Sequence, residues 1–322
     1  MKHVLSGIQP SGKFHLGNYL GATKQHMEMQ EKFSCMYMLA DLHALTTVRD
    51  AELLRKSTFD LAANYLALGL DPEKTVLFKQ SDVPEHTELT WIFDCITPMG
   101  LLERAHAWKD AEAKGIKEPT AGLFNYPVLM SADILLYKPD LVPVGKDQKQ
   151  HIEIARDIAV KFNEHFGETF PMPEDYIKPE VAVVPGTDGQ KMSKSYKNTI
   201  DIFEEESVIK KQVMGIVTDS KGVEEAKDPA TCVPFLLYQH IATAAEKQEM
   251  EERLKKGGLG YGELKKALLE KVLEYFADAR EKKKQFEKNP DFVHDVLAEG
   301  GKRAREVAGE TMEEVRKKVG LR

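Results

Sequence analysis

Residues 190–195 read QKMSKS: two lysines and two serines around one methionine, on a polar stretch introduced by Pro185, Gly186 and Gly189. What two mobile ammonium groups, Lys191 and Lys194, would do on so polar a loop, beside the hydroxyls of Ser193 and Ser195 and the apolar Met192, depends on what lies upstream. Most lysine-rich loops, however, are simply solvated. A possible counterpart lies near the amino end, in SGIQPSGKFHLGNYLG at 6–21. Backbone N–H groups where a helix opens attract phosphate, and Gly17 lets a ligand approach where a side chain would block it. His15 and Asn18 add donors there. Alone, this segment reads equally well as a glycine-rich turn with an incidental histidine.

A third element is the acid inside an apolar helix, Asp133 in YPVLMSADILLYK at 126–138. A carboxylate there is costly to bury without a partner. It can cap a neighbouring element, pair with a lysine, or accept a hydrogen bond from a ligand. Met130, Ile134, Val142 and Val144 form either an apolar wall around it or ordinary core. In DLHAL (41–45), Asp41 and His43 leave a strand near the same edge, with His43 a pocket-wall candidate. In VPVGKDQKQH (142–151), Asp147 and Gln148 suit a ribose or ammonium group, although Asp147 equally suits helix capping.

The elements that must position these groups alternate. Strand-like runs at 3–8, 35–45, 75–81, 141–145 and 181–186 are separated by amphipathic helices at 17–33, 51–70 and 147–166. That alternation predicts an α/β fold with a doubly wound, Rossmann-like parallel sheet, whose ligands bind at the carboxyl ends of its strands. Residues 84–138 read as a helical insertion. After Lys197 the strand signal fades, which divides the chain into a catalytic domain at 1–197 and an all-helical domain at 198–322.

The 322 residues are 42% hydrophobic and 30% charged, with net charge −7. That balance argues against a generic nucleic-acid coat, so any polyanion must meet a local patch. No apolar run reaches membrane-spanning length, the amino end lacks a signal-peptide pattern, and a cytoplasmic enzyme is the simplest class. Cys35, Cys95 and Cys232 are too scattered to suggest a disulfide framework or a zinc site.

HLGN at 15–18 is similar to the HIGH signature of class I aminoacyl-tRNA synthetases, and KMSKS at 191–195 is that class's second signature, in the right order. SGIQPSG, GLFNYPVLMSADILLY and LVPVGKDQKQH resemble the bacterial tryptophanyl-tRNA synthetases. The resemblance implies activation of L-tryptophan by ATP carrying Mg2+, transfer to tRNA(Trp), an anticodon-binding C-terminal domain, a homodimer, and no protein-bound metal. It surrounds ATP with Gln9, Pro10, Ser11, Gly17, Asn18, Gly145, Lys146, Asp147, Val183 and the 191–195 loop. His15, Asn18, Lys191 and Lys194 carry the chemistry. Tryptophan falls to Asp133 at its indole N–H, with His43, Tyr126, Met130, Val142 and Val144 around the ring and Gln148 positioning it. His15 stands where threonine is common in the family, Lys146 where glutamate is usual, and Ser131 where alanine is usual. Lys109 matches a lysine of the family's mobile loop, whereas Ala111 replaces a second one. A tyrosyl-tRNA synthetase and a stand-alone nucleotidyltransferase or nucleotide-sensing module are the alternatives.

Overall fold

The computed structural model describes residues 1–10, 12–113, 115, 118–145, 148–176 and 184–322, with the side chains of all of these but 107 and 110–112. Five strands form one sheet: β1 (His3–Ile8), β2 (Ser34–Leu39), β3 (Thr75–Lys79), β4 (Leu141–Pro143) and β5 (Glu174–Tyr176), in the order β3-β2-β1-β4-β5. Every neighbouring pair runs parallel. The runs HVLSGI, SCMYML and TVLFK carry apolar residues toward both faces, which suits a sheet covered on both sides. Strand order reverses at β1, which has β2 on one side and β4 on the other, so the crevice beyond Ile8 and Pro143 is where such a sheet takes ligands.

Several boundaries differ from the sequence reading. The strand at 35–45 ends at Leu39, the one at 75–81 at Lys79, and the one at 141–145 at Pro143. Of the run expected at 181–186, residues 181–183 lie outside the described residues, and Pro185 makes only an isolated antiparallel bridge to Lys191. β5 was not anticipated. EDY is short and polar, held by backbone pairing to β4 and by Arg156, whose guanidinium pairs with Asp175 at 3.0 Å.

The first crossover is α1 (Leu16–Asn18), a π-helical turn over Tyr19–Thr23, and α2 (Lys24–Met29); α3 (Asp41–Ala44) and α4 (Ala51–Ala67) link β2 to β3. Between β3 and β4 come α5 (Glu85–Asp94), α6 (Met99–Glu103), α7 (His106–Ala113) and α8 (Ala121–Leu136), the helices expected over 84–138. After β4 runs α9 (Lys149–Phe166). The remainder is helical: α10 (Glu206–Met214), α11 (Val233–Tyr238), α12 (Ala244–Lys256), α13 (Tyr261–Tyr275), α14 (Ala277–Lys288) and α15 (Asp291–Lys318).

This helical part is not held apart from the sheet. One continuous core runs from Val4, Leu16 and Tyr19 to Leu264, Leu268, Val272 and Phe276. Tyr19 meets the Phe276 ring edge-on at 4.9 Å, and its hydroxyl lies 2.7 Å from that of Tyr275. The last helix, assigned by sequence to the second domain, returns to cover the edge strand β3. Arg303 donates to the Pro72 and Thr75 carbonyls at 3.3 Å each, and Arg316 forms a two-pronged pair with Glu88. Covering β3 in this way removes an open sheet edge.

The closest approach is at Gly300, where a Cβ would fall 1.9 Å from the Leu77 carbonyl oxygen. Gly309, on the same helix, has nothing within 4 Å of that position. Gly300→Ala is therefore expected to destabilise the protein by about 1–3 kcal/mol through overpacking. Gly309→Ala should stabilise it by roughly 0.5–1 kcal/mol through helix propensity. Urea unfolding of the two variants separates these outcomes, and a stability gain for Gly300→Ala would contradict the packing of α15 on β3.

Candidate active site

The two signature segments meet beyond the carboxyl end of β1. His15 caps α1: its Nδ1 accepts from the Asn18 N–H at 3.3 Å, while Asn18 Oδ1 accepts from the His15 N–H at 3.1 Å. With Nδ1 an acceptor, the imidazole's own N–H is on Nε2. The Gly17 N–H donates to Met192 Sδ at 3.2 Å, so the methionine of the lysine loop sits on the opening turn of the first helix. Met192 is buried, and a Cβ on Gly17 would lie 3.2 Å from its Cβ. A Cβ on Gly12 would be 3.9 Å from Lys194 Nζ. The ammonium thus reaches the loop that follows β1.

The lysine loop is fixed by Asn198, a buried residue that the sequence reading missed. Its amide donates to the Lys191 carbonyl at 3.1 Å and to Asp188 at 2.7 Å, and its Oδ1 accepts from the Ser193 N–H at 2.7 Å. Any side chain at Gly186 would collide with this amide, at 2.2 Å for a Cβ. Met192 N–H adds a bond to the Val184 carbonyl, and the Ser193 and Ser195 hydroxyls lie 2.8 Å apart. Lys191 and Ser195 are exposed, Lys194 half-buried. Burial pushes the Lys194 ammonium pKa down, opposed by the charge of Asp201.

A second cluster surrounds Asp133, buried on α8. Its Oδ1 accepts from Gln80 Nε2 and from His86 Nδ1, each at 2.7 Å, and its Oδ2 accepts from His43 Nε2 at 2.7 Å. Burial pushes this carboxyl up, but the electrostatic pull and hydrogen bonds of His43, then of His86, outweigh it and hold the pKa at about 2. The group is therefore an ionised acceptor. A carboxylate offers about four acceptor directions, and these three donors leave one on Oδ2. Met130, Ile134, Val142 and Val144 come together as one small apolar cluster, as the sequence suggested. Tyr126 completes the surround, its ring edge-on to His43 at 6.2 Å and its hydroxyl 3.3 Å from His151.

Gln80, His86 and Tyr137 also escaped the sequence reading. Gln80 directly follows β3, and attention to every polar residue at a strand's carboxyl end would have found it. His86, in the first turn of α5, and Tyr137, directly after α8, are buried with no local signal. Asp41, grouped by sequence with His43, turns instead to Ser81, accepting from its N–H at 2.9 Å and its hydroxyl at 2.5 Å. Gln9 and Gly145 are exposed and Pro10 is buried at the mouth of the crevice, and the Gln148 N–H donates to the Gly145 carbonyl at 2.9 Å. Lys109 is exposed on α7. Ser11, Lys146, Asp147 and Val183 lie outside the described residues.

Residues 2–277 match the family described as tRNA synthetases class I (W and Y). The tryptophan–tRNA ligase of Fusobacterium nucleatum is 52% identical, covering 100% of this chain and 98% of its own length. That of Rhodopirellula baltica is 55% identical, covering 99% of both chains. Among solved structures, tryptophanyl-tRNA synthetase from Campylobacter jejuni, complexed with ADP and tryptophan, superposes with a TM-score of 0.93 at 49% identity over 99% of both chains.

The environment of His15 makes a pH-dependent contribution to stability. Burial, then the nearby Lys194 charge, lower its pKa to about 4, against an opposing pull from Asp201. The unfolded chain binds the proton first as pH falls below about 6.5, so stability drops between there and about 4 and the contribution is flat below. His15→Thr keeps a capping acceptor but removes the titration. Urea unfolding at pH 7 and pH 4.5 is expected to give a smaller acid loss for the variant than for wild type. Equal losses would refute the depressed pKa.

Proposed function

The chain belongs to the class I tRNA synthetases of the tryptophan and tyrosine family, and from that premise we propose that it activates L-tryptophan with ATP and transfers it to tRNA(Trp). The observation that carries the reading is the hydrogen bond from the Gly17 N–H to Met192 of KMSKS, with the Lys194 side chain lying beside Gly12. Two segments far apart in sequence meet at the one edge of the sheet suited to a nucleotide.

In the first step a tryptophan carboxylate oxygen attacks the α-phosphorus of Mg-ATP in line. The bond from that phosphorus to the bridging oxygen breaks, giving tryptophanyl-adenylate and pyrophosphate. Mg2+ enters with the substrate, on its phosphates. The nucleophile is already ionised at neutral pH, so the protein supplies position and charge rather than a base. Gln9, Pro10, Gly17, Asn18 and Gly145 line the nucleotide side, with Ser11, Lys146, Asp147 and Val183 added by the family resemblance. His15, neutral near pH 7, offers its Nε2–H. Lys191 and Lys194 neutralise charge on the departing pyrophosphate, and a half-desolvated ammonium acts more strongly than a solvated one. Ser193 and Ser195 add donors, and Met192 seats the loop.

Asp133 takes the indole N–H on the open direction of Oδ2, with His43, Tyr126, Met130, Val142 and Val144 around the ring and Gln148 toward the amino acid's polar end. In the second step a ribose hydroxyl at the tRNA 3′ end attacks the activated carbonyl and AMP leaves. Residues 1–197 serve as the catalytic domain, and from 198–322 the helices α10 to α14 are the candidates for the anticodon. In the basic segment 280–288, Arg280 donates to the Ile202 and Glu204 carbonyls and Lys283 pairs with Glu287, which leaves Lys282, Lys284 and Lys288 for RNA. Trp91 and Met99, 70% and 62% exposed on α5 and α6, suit the face of a homodimer. A cytoplasmic site of action fits the substrates, and among the described residues no helix is long and apolar enough to cross a membrane.

A phenol O–H would also donate to Asp133, so the test compares amino acids. Exchange of labelled pyrophosphate into ATP is expected with tryptophan and not with tyrosine or phenylalanine. Lys194→Ala should lower tryptophan-dependent exchange by about 10² to 10³ while leaving tryptophan affinity unchanged. Exchange with tyrosine alone, or with no amino acid, would overturn the reading.

A further inference from the structure

Asp133 takes three internal donors, and two of them, Gln80 and His86, are fully buried behind it. His86 is fully buried, and Tyr137 is only 6% exposed. His86 Nδ1 lies 2.7 Å from Asp133 Oδ1, and its other nitrogen lies 2.9 Å from the Tyr137 hydroxyl. The imidazole is further fixed by the Phe78 ring, stacked at 6.3 Å and 26°. An ionised carboxylate only accepts, so Nδ1 must carry a proton. Burial, and then the charges of Asp133 and Glu85, push the Tyr137 pKa up, so it stays a phenol whose O–H is available to Nε2.

We infer that His86, backed by Tyr137, is a positioning residue that sets the plane of the Asp133 carboxylate and thereby the selectivity for a ring bearing an N–H. Gln80 and His86 together fill Oδ1, which turns the remaining acceptor direction onto Oδ2, the oxygen shared with the half-buried His43. Gln80 has a second task, because its Oε1 accepts from the Leu42 and His43 N–H groups at the start of α3. In contrast, the hydrogen bonds of His86's ring go to Asp133 and Tyr137. Without His86, Oδ1 keeps only Gln80 and the carboxylate plane is set by Gln80 and His43 alone, so it turns away from the orientation that meets the indole N–H. The inference rests on Asp133 as the indole acceptor and adds what aims it.

The experiment measures kcat/KM for pyrophosphate exchange with tryptophan and with its benzothiophene analogue, in which sulfur replaces the ring N–H. Wild type should favour tryptophan, and Asp133→Leu, which removes both acceptor oxygens, should erase most of that preference. His86→Leu is expected to lower the tryptophan-to-analogue ratio by about 10- to 100-fold, the range seen when partners behind a ligating group are removed. Tyr137→Phe should lower it in the same direction by less. His86→Asn, which keeps a donor near the Nδ1 position, should restore part of the ratio. If His86→Leu depresses both substrates equally and leaves the ratio unchanged, the residue is merely structural and the inference is overturned. If Asp133→Leu also leaves the ratio unchanged, the indole-acceptor reading itself has failed. Should His86→Leu not fold, an unchanged ratio in Tyr137→Phe overturns the inference equally well.

Discussion

A negative charge buried in an apolar helix is tolerable only if donors surround it, and that constraint organises this molecule. Asp133 draws its donors from three separate segments: His43 beyond β2, Gln80 beyond β3 and His86 on α5. Meeting the demands of one carboxylate thus ties the exits of two strands to both long helices of the insertion. The ligand edge of the sheet is shaped by that requirement. The Asp41–Ser81 pair makes a second tie between the same two strand exits.

The side proposed for the nucleotide is organised by contact rather than charge. Met192 seats on Gly17, Asn198 pins the loop behind it, and the first helix continues through its π-helical turn into Tyr19, whose ring abuts Phe276 of the C-terminal helices. Displacement of the lysine loop would therefore be felt at the opening of the first helix and, through that helix, by the helices proposed to meet RNA. α15 returns in the other direction, bracing the edge strand β3 one residue from Phe78, which stacks on His86. The two proposed ligand sites share the sheet and differ in what holds each together.

Much of this was legible in the sequence. HVLSGI spans β1 residue for residue, because an apolar run bounded by turn formers has few other fates. Asp133 stood out as a physical anomaly within YPVLMSADILLYK, and its apolar neighbours Met130, Ile134, Val142 and Val144 do cluster. What escaped was every partner supplied across the fold. Gln80, His86, Tyr137 and Asn198 are polar residues whose roles depend on segments up to 53 positions away, and periodicity carries no record of such pairings. β5 was hidden by its length and polarity. The amphipathic pattern of α15 announced an apolar face without saying that the face would cover β3.

The central claim is that the open acceptor direction of Asp133 is meant for an indole N–H. A crystal structure of the chain with bound L-tryptophan tests it most directly. The account predicts the indole nitrogen within about 3 Å of Asp133 Oδ2, with Gln80 and His86 still donating to Oδ1. An indole whose nitrogen faces another group, or a carboxylate turned from it toward an internal donor, would contradict the account.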